Sequence, residues 1–482
     1  MSTGSSAREV GGGNPLAAYG AWIARTPDDW PGAAMVATRR AFADVIGVSI
    51  PGADEPVAHK VLTAAKDWGT GPCTVIGAGD RLAAPWAAFV NGTAAHALDF
   101  DDNFDPAKAH ASAVLVPAIL ALAEQEQASG RACLDAYIVG LQIMGRVGQG
   151  LNPVHRNRGW HATGTVGALG AAAACARLLR PSEREAAYAL SIATSMAGGF
   201  MSQFGTSTKP VHAGLAAKAG VMAASLARAG LDAGMATLDS PTGMNHLMVG
   251  PDYEALRDSL VHVEHGQTMR FETEAVGEPL LILSSGLKVK RFPNCGSAHR
   301  AMDGLLRLQE RLGFAARDIS EILVEAPASH LRNLMYEAPV DPAQAKFSLE
   351  YALAVIALRG RCALADFEQE AVDDHAVRAL YPLVRRVAVE SGEGEFPTRV
   401  EVTLKDGRRE VIEVAMPVGS LAAPMSDEQL RQKFDQCAAG IVPPTDLDWL
   451  HALLDDLADL ENIAPLMTLL GASSRYEAEA AQ

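Results

Sequence analysis

Positive charge is scarce in this sequence. Its 482 residues include 41 Lys and Arg against 57 Asp and Glu, so the formal net charge is −16. We find no run or stripe of basic residues, which a surface that binds nucleic acid requires. The composition therefore predicts no nucleic-acid partner, and an anionic ligand would need a local cationic pocket.

Long hydrophobic runs are also missing. The most apolar segments, 114–123 and 164–176, are shorter than the roughly 20 residues that cross a bilayer, and the first contains Pro117. Residues 1–14 are polar and glycine-rich and lack the apolar core of a secretory signal, which predicts a disordered lead-in. We expect buried helices and no membrane partner.

Cysteine is sparse, and its spacing suggests no pairing. The six cysteines are scattered without a CxxC pattern, so the sequence indicates neither a disulfide framework nor a zinc site. This usage is typical of a reducing compartment, and we predict a cytoplasmic protein. A dinucleotide-binding fold is disfavoured too, because the strand-like segment 73–77 and its Gly-Ala-Gly lack the third glycine and the βαβ setting.

Alanine at helical spacing is abundant. Residues 15–47 have apolar side chains at helical spacing around a Thr-Pro-Asp-Asp turn, which predicts two helices. Alanine has the highest helix propensity, and small side chains let helix axes approach closely, so we expect a tightly packed all-helical body. Its Ala-rich segments are 114–129, 132–148, 164–179, 183–197 and 211–229.

The character of the sequence changes after residue 271, where strand and helix patterns alternate. The predicted strands are 287–292 and 321–326, the predicted helix is 298–312, and a β-hairpin turns at Asp406 and Gly407. A helical pattern returns at 426–470. We therefore predict a mainly α chain, with a large helical domain of residues 15–270 plus 420–482 and an inserted α+β domain of residues 271–419.

The densest group of ionisable residues lies immediately before a strongly apolar segment. It consists of Asp99, Asp101, Asp102 and Asp105, with His96 before it and His110 after it. Carboxylates this close repel one another, and such a group usually faces solvent, binds a cation or uses shifted pKa values for proton chemistry. The aspartates after Asp99 also suit capping or hydrogen-bonding roles in a turn.

Other reactive side chains lie at predicted helix or strand ends. His161 precedes a helix that Thr163 can cap, where free backbone N–H groups favour a carboxylate. Lys209, close to His212, lies at a helix entrance, where the helix dipole disfavours a cation. Lys290, Arg291, Cys295 and Tyr336 suit structural roles as well as functional ones, and no single position is specific.

Taken together, these motifs resemble those of the MmgE/PrpD family, which includes 2-methylcitrate dehydratase, cis-aconitate decarboxylase and iminodisuccinate epimerase. The similar segments, in the family's order, are NGTAAHALDFDD, HASAVLVPAILALAE, WHATGTVGALGAAAA, TKPVHAGLAAKAG, KRFPNCGSAH and AKFSLEY. The resemblance extends from about residue 15 to about residue 470. It implies a homodimer in which the inserted α+β domain is a lid over a cleft.

The resemblance, with the residues beside its motifs, also implies a set of site residues. Catalytic roles fall on His110 as the principal acid/base, on Asp99 as the group that orients it, on Tyr336 as a proton donor from the lid, and on His161. Substrate-binding roles fall on Lys209, Lys290, Arg291, Asn103, Cys295 and His212. Neither a metal nor a cofactor is implied. Asn103 and Cys295 depart from decarboxylase-like members, which have threonine and a lid histidine there.

The activities named for the family share proton movement at a carbon beside a carboxylate. This chemistry needs an acid/base group near that carbon and cations around the carboxylates. We therefore expect a cofactor-independent lyase that dehydrates or decarboxylates a small di- or tricarboxylate. An epimerase or isomerase of a dicarboxylate such as iminodisuccinate stays open, because both reactions begin with the same kind of proton transfer.

Two further hypotheses come from the acidic cluster. Asp101, Asp102 and Asp105 match the DDxxD pattern with which all-helical isoprenoid synthases hold magnesium and a diphosphate. A second metal motif is missing, and the aromatic content of 6% is low for a carbocation cavity. The other hypothesis is a non-catalytic helical binding protein whose acidic cluster is a solvated face.

Overall fold

The structure, a computed structural model, describes residues 13–260, 263–389 and 397–472. Residues 1–12 of the predicted lead-in lie outside this part of the chain. The chain is 57% helical with 10% strand, which confirms the prediction of a mainly α fold. Among the described residues, no helix is both long and apolar enough to cross a membrane.

The N-terminal part of the chain is a packed array of helices, and each of the five Ala-rich segments is helical as predicted. The helices are α1 (Pro15–Arg25), α2 (Gly32–Ala53), α3 (Pro56–Ala65), α4 (Ala84–Ala97), α5 (Ser112–Glu126), α6 (Gly130–Leu151), α7 (Val154–Asn157), α8 (Ala162–Leu178), α9 (Glu183–Thr194), α10 (Thr208–Arg228), α11 (Met244–Val249) and α12 (Tyr253–Asp258). Small side chains bring these helices together. A Cβ atom on Gly220 of α10 would lie 2.3 Å from the Cβ of Ala171 in α8.

The strand predicted over residues 73–77 is displaced. A short hairpin forms instead from β1 (Thr70–Thr74) and β2 (Arg81–Leu82). Gly77 and Gly79 adopt positive φ between the two strands, so this glycine pair turns the chain back where the prediction continued the strand.

The α+β part contains a second buried core. Its elements, from the short helix before it, are α13 (Leu281–Ser284), α14 (His299–Leu312), β3 (Ile319–Pro327), α15 (Ala328–Asn333), α16 (Pro342–Ala345), α17 (Leu349–Arg359), α18 (Gln369–Val372), α19 (His375–Arg378), β4 (Val384–Val389), β5 (Thr398–Leu404) and β6 (Arg409–Val414). The sheet has the order β4-β3-β5-β6, in which only β3 and β4 are parallel. Helix α14 packs on β5 and β6. The strand at 321–326, the helix ending at Gly313 and the hairpin are confirmed.

The prediction of a strand over residues 287–292 is wrong. Lys288 makes an isolated bridge with Asn103, and the N–H of Val289 donates to the carbonyl oxygen of Gly419 at 2.9 Å. The Lys290 side chain is buried against Asp99. This segment connects the two parts of the molecule. Its backbone forms hydrogen bonds with the loop residues Asn103 and Gly419 and not with the edge of a sheet.

The last helices return to the helical part, as the sequence predicts. They are α20 (Asp427–Ala438), α21 (Pro444–Asp455) and α22 (Ala464–Leu470). Lys433 Nζ lies 2.7 Å from Asp44 Oδ1 of α2, and the Phe434 ring occupies the space beside Gly47. Phe434, Leu450 and Leu466 share one hydrophobic core with the N-terminal helices, whereas residues between 292 and 404 form the other core.

Candidate active site

A cavity of about 680 Å³ lies between the helical part and the α+β part, a volume typical of small-molecule sites. Its walls include the loop after α4, helix α7, the segment before α14 and residues after β3. The structure brings together seven of the ten predicted site residues in this wall: Asp99, Asn103, His110, His161, Lys209, Lys290 and Cys295.

Asp99 binds two lysines. It has a φ of 53°, a left-handed conformation that aspartate tolerates better than most residues. Its Oδ1 accepts hydrogen bonds from Lys209 Nζ at 2.6 Å and from Lys290 Nζ at 2.9 Å, and its carbonyl oxygen accepts one from Lys290 at 2.7 Å. Burial raises the pKa of Asp99, but the two lysines and His110 outweigh burial and hold that pKa well below its usual value. Asp99 is therefore an ionised anchor for two cations.

The two lysines are themselves buried, with exposed fractions of 5% for Lys209 and 2% for Lys290. Lys209 lies in the first turn of α10, where the helix dipole disfavours a cation, and its Nζ is 4.9 Å from the ring centre of Phe347. Burial lowers the pKa of Lys290, but Asp99 and Asp101 outweigh it and raise that pKa. Two ammonium groups thus share the Asp99 carboxylate, which leaves the trio with net positive charge.

His110 lies closer to Asp101 than to Asp99. Its Nδ1 is 3.2 Å from Asp101 Oδ2, whereas its Nε2 is 3.9 Å from Asp99 Oδ1. We predicted Asp99 as the group that orients His110, but the two lysines occupy that carboxylate, and Asp101 is nearer to His110. Asp101 also lies 2.9 Å from Nδ1 of His96. Burial lowers the pKa of His110 and Asp101 only partly opposes this, so the imidazole is neutral near pH 7. A proton on Nδ1 leaves the Nε2 lone pair on the side of Asp99 and the lysines.

His161 and His212 form a second histidine pair. Their Nδ1 atoms are 2.9 Å apart, and His161 lines the cavity whereas His212 is outside the lining. His161 Nε2 is buried and has no hydrogen-bond partner within the described residues. The predicted cap by Thr163 is wrong, because the Thr163 hydroxyl accepts instead from the N–H of His110 at 3.1 Å and His161 itself is the N-cap residue. His212 therefore supports His161 from behind.

Arg291 and Tyr336 also lie outside the cavity lining. Arg291 Nη1 is 2.9 Å from Oδ1 of the buried Asp303, so this guanidinium already has a carboxylate partner. The Tyr336 hydroxyl lies beside Gly205. The backbone N–H of Tyr336 donates to the carbonyl oxygen of Phe347 at 3.3 Å. Neither side chain contributes to the cavity wall in this conformation.

Comparison with known proteins assigns the family. The MmgE/PrpD N-terminal domain matches residues 19–256, and the MmgE/PrpD C-terminal domain matches residues 292–454. The chain belongs to the MmgE/PrpD family. The predicted family is thereby confirmed.

Similar proteins named cis-aconitate decarboxylase come from several organisms. The one from Mus musculus is 30% identical over 92% of this chain and 90% of its own length. The one from Homo sapiens is 29% identical over 91% of both chains. The one from Aspergillus terreus is 28% identical over 92% of this chain and 93% of its own length. Decarboxylases of this kind are lyases, and the prediction that the chain is an enzyme of the lyase class is confirmed at this level.

Cys295 and Asn103, the two predicted departures from decarboxylase-like members, lie on the same side of the cavity. The N–H of Cys295 donates to the carbonyl oxygen of Lys346 at 2.9 Å, and burial raises the pKa of its thiol. Asn103 Nδ2 is close to Gly296, where an added Cβ would lie 3.0 Å away. These two side chains are therefore placed to shape the cavity rather than to supply charge.

The other aspartates of the motif have separate partners. Asp101 binds His96, Asp102 binds Ser112, and Asp105 Oδ2 lies 2.5 Å from Lys288 Nζ. The three carboxylates of the DDxxD pattern thus do not converge, which removes the structural basis of the isoprenoid-synthase hypothesis.

One other arrangement has the spacing of a metal site. His96, Asp99, Asp101 and His110 each place a ligand atom within 4.8 Å of the others. The Asp99 oxygen, however, accepts hydrogen bonds from two ammonium groups, whose positive charge repels a divalent cation. The contacts of these four residues therefore favour hydrogen bonding over metal binding.

The sequence interpretation missed Arg156, which lies in α7 five positions before His161 and lines the same cavity. In the sequence, Arg156 is marked only by its position close to the HATG motif. Arginines on exposed helix faces occur at such positions too, so the pattern is not specific. It also missed that Asp101 contacts both His96 and His110.

Asp102 gives a prediction on stability. It is buried and accepts hydrogen bonds from the N–H of Ser112 at 3.2 Å and from the Ser112 hydroxyl. Burial raises its pKa to about 7, although the Ser112 hydroxyl lowers it, and Asp101 and Asp44 raise it further. A carboxyl group with a raised folded-state pKa stabilises the fold below its unfolded pKa of about 4, and this stabilisation is lost as the pH rises through about 7.

We therefore expect Asp102→Asn to gain stability relative to the unmodified chain as the pH rises, by up to about 1.4 kcal/mol per pH unit between roughly pH 4 and pH 7. Urea unfolding across this pH range measures the difference, and Asp28→Asn, at an exposed position, controls for the loss of one charge. A difference in unfolding free energy that does not change with pH contradicts the prediction.

Proposed function

We propose that this protein is a lyase that removes carbon dioxide or water from a small di- or tricarboxylate, with cis-aconitate as the first candidate substrate. The names of the relatives support decarboxylation. The observation that carries the proposal is the position of His110, whose Nδ1 lies 3.2 Å from Asp101 Oδ2, beside two buried lysines that share Asp99.

The electrostatics of the cavity suit an anionic substrate. Lys209 and Lys290 leave a positive charge uncompensated by Asp99, and the buried Nε2 of His161 has no partner within the described residues. Charges more than about 8 Å away are largely screened at physiological salt, so these local groups prevail over the net charge of −16. Carboxylates of the substrate would therefore bind beside Lys209, Lys290 and His161.

Decarboxylation of an allylic carboxylate balances with these residues. The C–C bond to the departing carboxylate breaks, and its electron pair forms a new C=C bond as carbon dioxide leaves. The electron pair of the old C=C bond moves to the carbon beside a second carboxylate, where Lys209 and Lys290 stabilise the developing charge. That carbon then takes a proton from His110. His110 gains this proton when the substrate binds, because the carboxylates of the substrate raise its pKa.

Neutral His110 also suits the opposite direction of proton transfer. With a lowered pKa, it can take a proton from a carbon beside a carboxylate, which begins both dehydration and epimerisation. Dehydration of a 2-methylcitrate type of substrate and epimerisation of a dicarboxylate such as iminodisuccinate are therefore the alternatives to test.

Proton NMR in D₂O separates these reactions. The protein is incubated with EDTA and with cis-aconitate, 2-methylcitrate or iminodisuccinate in separate samples. Release of carbon dioxide with new vinylidene protons supports decarboxylation, and loss of water supports dehydration. Deuterium uptake or inversion without a change of skeleton assigns an epimerase. No reaction with any of the three substrates contradicts the proposal.

Two features that the family resemblance implies belong to the same proposal. We propose that the chain forms a homodimer and that residues 271–419 act as a lid over the cavity. Sedimentation equilibrium tests the first, and small-angle X-ray scattering with and without a saturated tricarboxylate tests the second. A mass of one chain contradicts the homodimer. A scattering curve that does not change with the tricarboxylate contradicts the lid.

A further inference from the structure

The cavity contains a cationic group that the chemistry described above does not use. Arg156 of α7 lines the wall and donates from Nη2 to Oδ1 of Asn333 at 2.8 Å. Asn333 in turn donates from Nδ2 to the hydroxyl of Ser297 at 2.9 Å. This chain of hydrogen bonds connects the helical part to the α+β part and fixes the orientation of the guanidinium.

Arg156 has no acidic partner in the described part of the chain. No carboxylate there lies within ion-pair distance of its guanidinium, and its hydrogen bond to Asn333 uses one of five N–H donors. The remaining donors suit a planar carboxylate, which arginine binds in a bidentate manner. Other arginines of the chain, such as Arg177 with Asp135, have their carboxylates in place.

Arg156 lines the same cavity as Lys209, Lys290 and Cys295. Burial lowers the pKa of its guanidinium, and Arg332 of α15, another residue of the cavity lining, lowers it further. Two guanidinium groups that repel each other in this wall gain from an anion between them.

We propose that Arg156, positioned by Asn333 and Ser297, forms a second carboxylate subsite in the same cavity, so that the substrate has a further carboxylate besides the one on the two lysines. This inference rests on the proposed function and narrows its substrate class to polycarboxylates with separated acid groups, of which tricarboxylates are the first choice. A ligand with a single carboxylate that fills only the lysine subsite gains nothing from Arg156.

Binding of inert ligands tests the subsite without turnover. Isothermal titration calorimetry compares propane-1,2,3-tricarboxylate with the monocarboxylate butanoate on the full chain and on Arg156→Gln. Loss of a charge-assisted contact should weaken tricarboxylate binding by about 10- to 100-fold and butanoate binding by less than about 3-fold. Arg156→Lys should recover part of the affinity. Arg158→Gln, two positions away at an exposed position outside the cavity lining, should bind as the unmodified chain does.

Equal weakening of both ligands, or none, overturns the subsite. Thermal unfolding checks that Arg156→Gln is folded, and Asn333→Ala gives a second test because it frees the guanidinium and should weaken only the tricarboxylate. A turnover assay separates this proposal from the previous one. Absence of turnover on every substrate, with the binding difference intact, rejects the proposed function alone, whereas turnover with unchanged binding in Arg156→Gln rejects the subsite alone.

Discussion

His110→Ala is expected to lower kcat on the preferred substrate by about 10²- to 10⁴-fold, the range that a positioned acid/base group contributes. His110 lines the cavity beside Asp99 and the two lysines, and its Nδ1 is held 3.2 Å from Asp101. Steady-state kinetics measure the loss. His59→Ala, which changes an exposed histidine, should retain the activity of the unmodified chain.

Asp101→Asn distinguishes proton transfer from a merely structural role of His110. An amide in place of the carboxylate no longer favours a proton on Nδ1, so the pH dependence of kcat should shift as well as its value. Added imidazole should restore part of the activity of His110→Ala, because the deleted side chain leaves space for it. Near-normal turnover in His110→Ala, or a pH profile unchanged in Asp101→Asn, contradicts the assignment.

Proton uptake on binding follows from the same arrangement. His110 is neutral in the empty cavity, and carboxylates of a bound tricarboxylate raise its pKa, so the chain should take up about one proton near pH 7. Calorimetry in buffers with different ionisation enthalpies measures this number. His110→Ala should take up substantially less.

Lys290→Met is expected to lower the free energy of unfolding by about 3–5 kcal/mol, because it removes one member of a buried ion-paired group. Lys290 is 2% exposed and binds both the carboxylate and the carbonyl oxygen of Asp99. Urea unfolding measures the loss. The double variant Lys290→Met/Asp99→Asn should be more stable than the sum of the two single losses implies. Each single variant leaves the other member of the pair buried without its partner, whereas the double variant removes both charges.

Lys433→Met is the matched control. Lys433 makes the same kinds of contact, with Asp44 at 2.7 Å and with the carbonyl oxygen of Phe100 at 2.8 Å, but it does not line the cavity. We expect a comparable loss of stability with a much smaller change in tricarboxylate affinity than in Lys290→Met. Equal losses of affinity in the two variants contradict the role of Lys290 as a substrate cation. Strictly additive stabilities of Lys290→Met and Asp99→Asn contradict the buried ion pair between them.

The helical part and the β5–β6 hairpin were predictable because their signals are local. Alanine and glycine at helical spacing, and an Asp-Gly turn between alternating strands, determine these elements with little help from distant residues. Residues 287–292 show the opposite case. The alternating pattern of Lys288 and Lys290 resembles an edge strand, but the contact of Lys290 with Asp99 comes from a residue distant in the chain.

The site could be predicted as a set of residues but not as a geometry. Family motifs pointed to Asp99, His110, His161, Lys209 and Lys290, which the structure brings together. The contact of His110 with Asp101 and the positive φ of Asp99 are features of the folded chain that no spacing rule gives. Arg291 was predicted to bind substrate because it is a cation beside Lys290. Its contact with Asp303 depends on how α14 packs, which the local sequence does not show.

The structure of the protein with propane-1,2,3-tricarboxylate bound is the most direct single measurement. The mechanism predicts one carboxylate beside Lys209, Lys290 and His161, another on Arg156, and a carbon of the ligand within about 3.5 Å of His110 Nε2. A ligand outside this cavity, or one bound there with His110 turned away and its carboxylates on other groups, would contradict both the acid/base role of His110 and the division of the cavity into two carboxylate subsites.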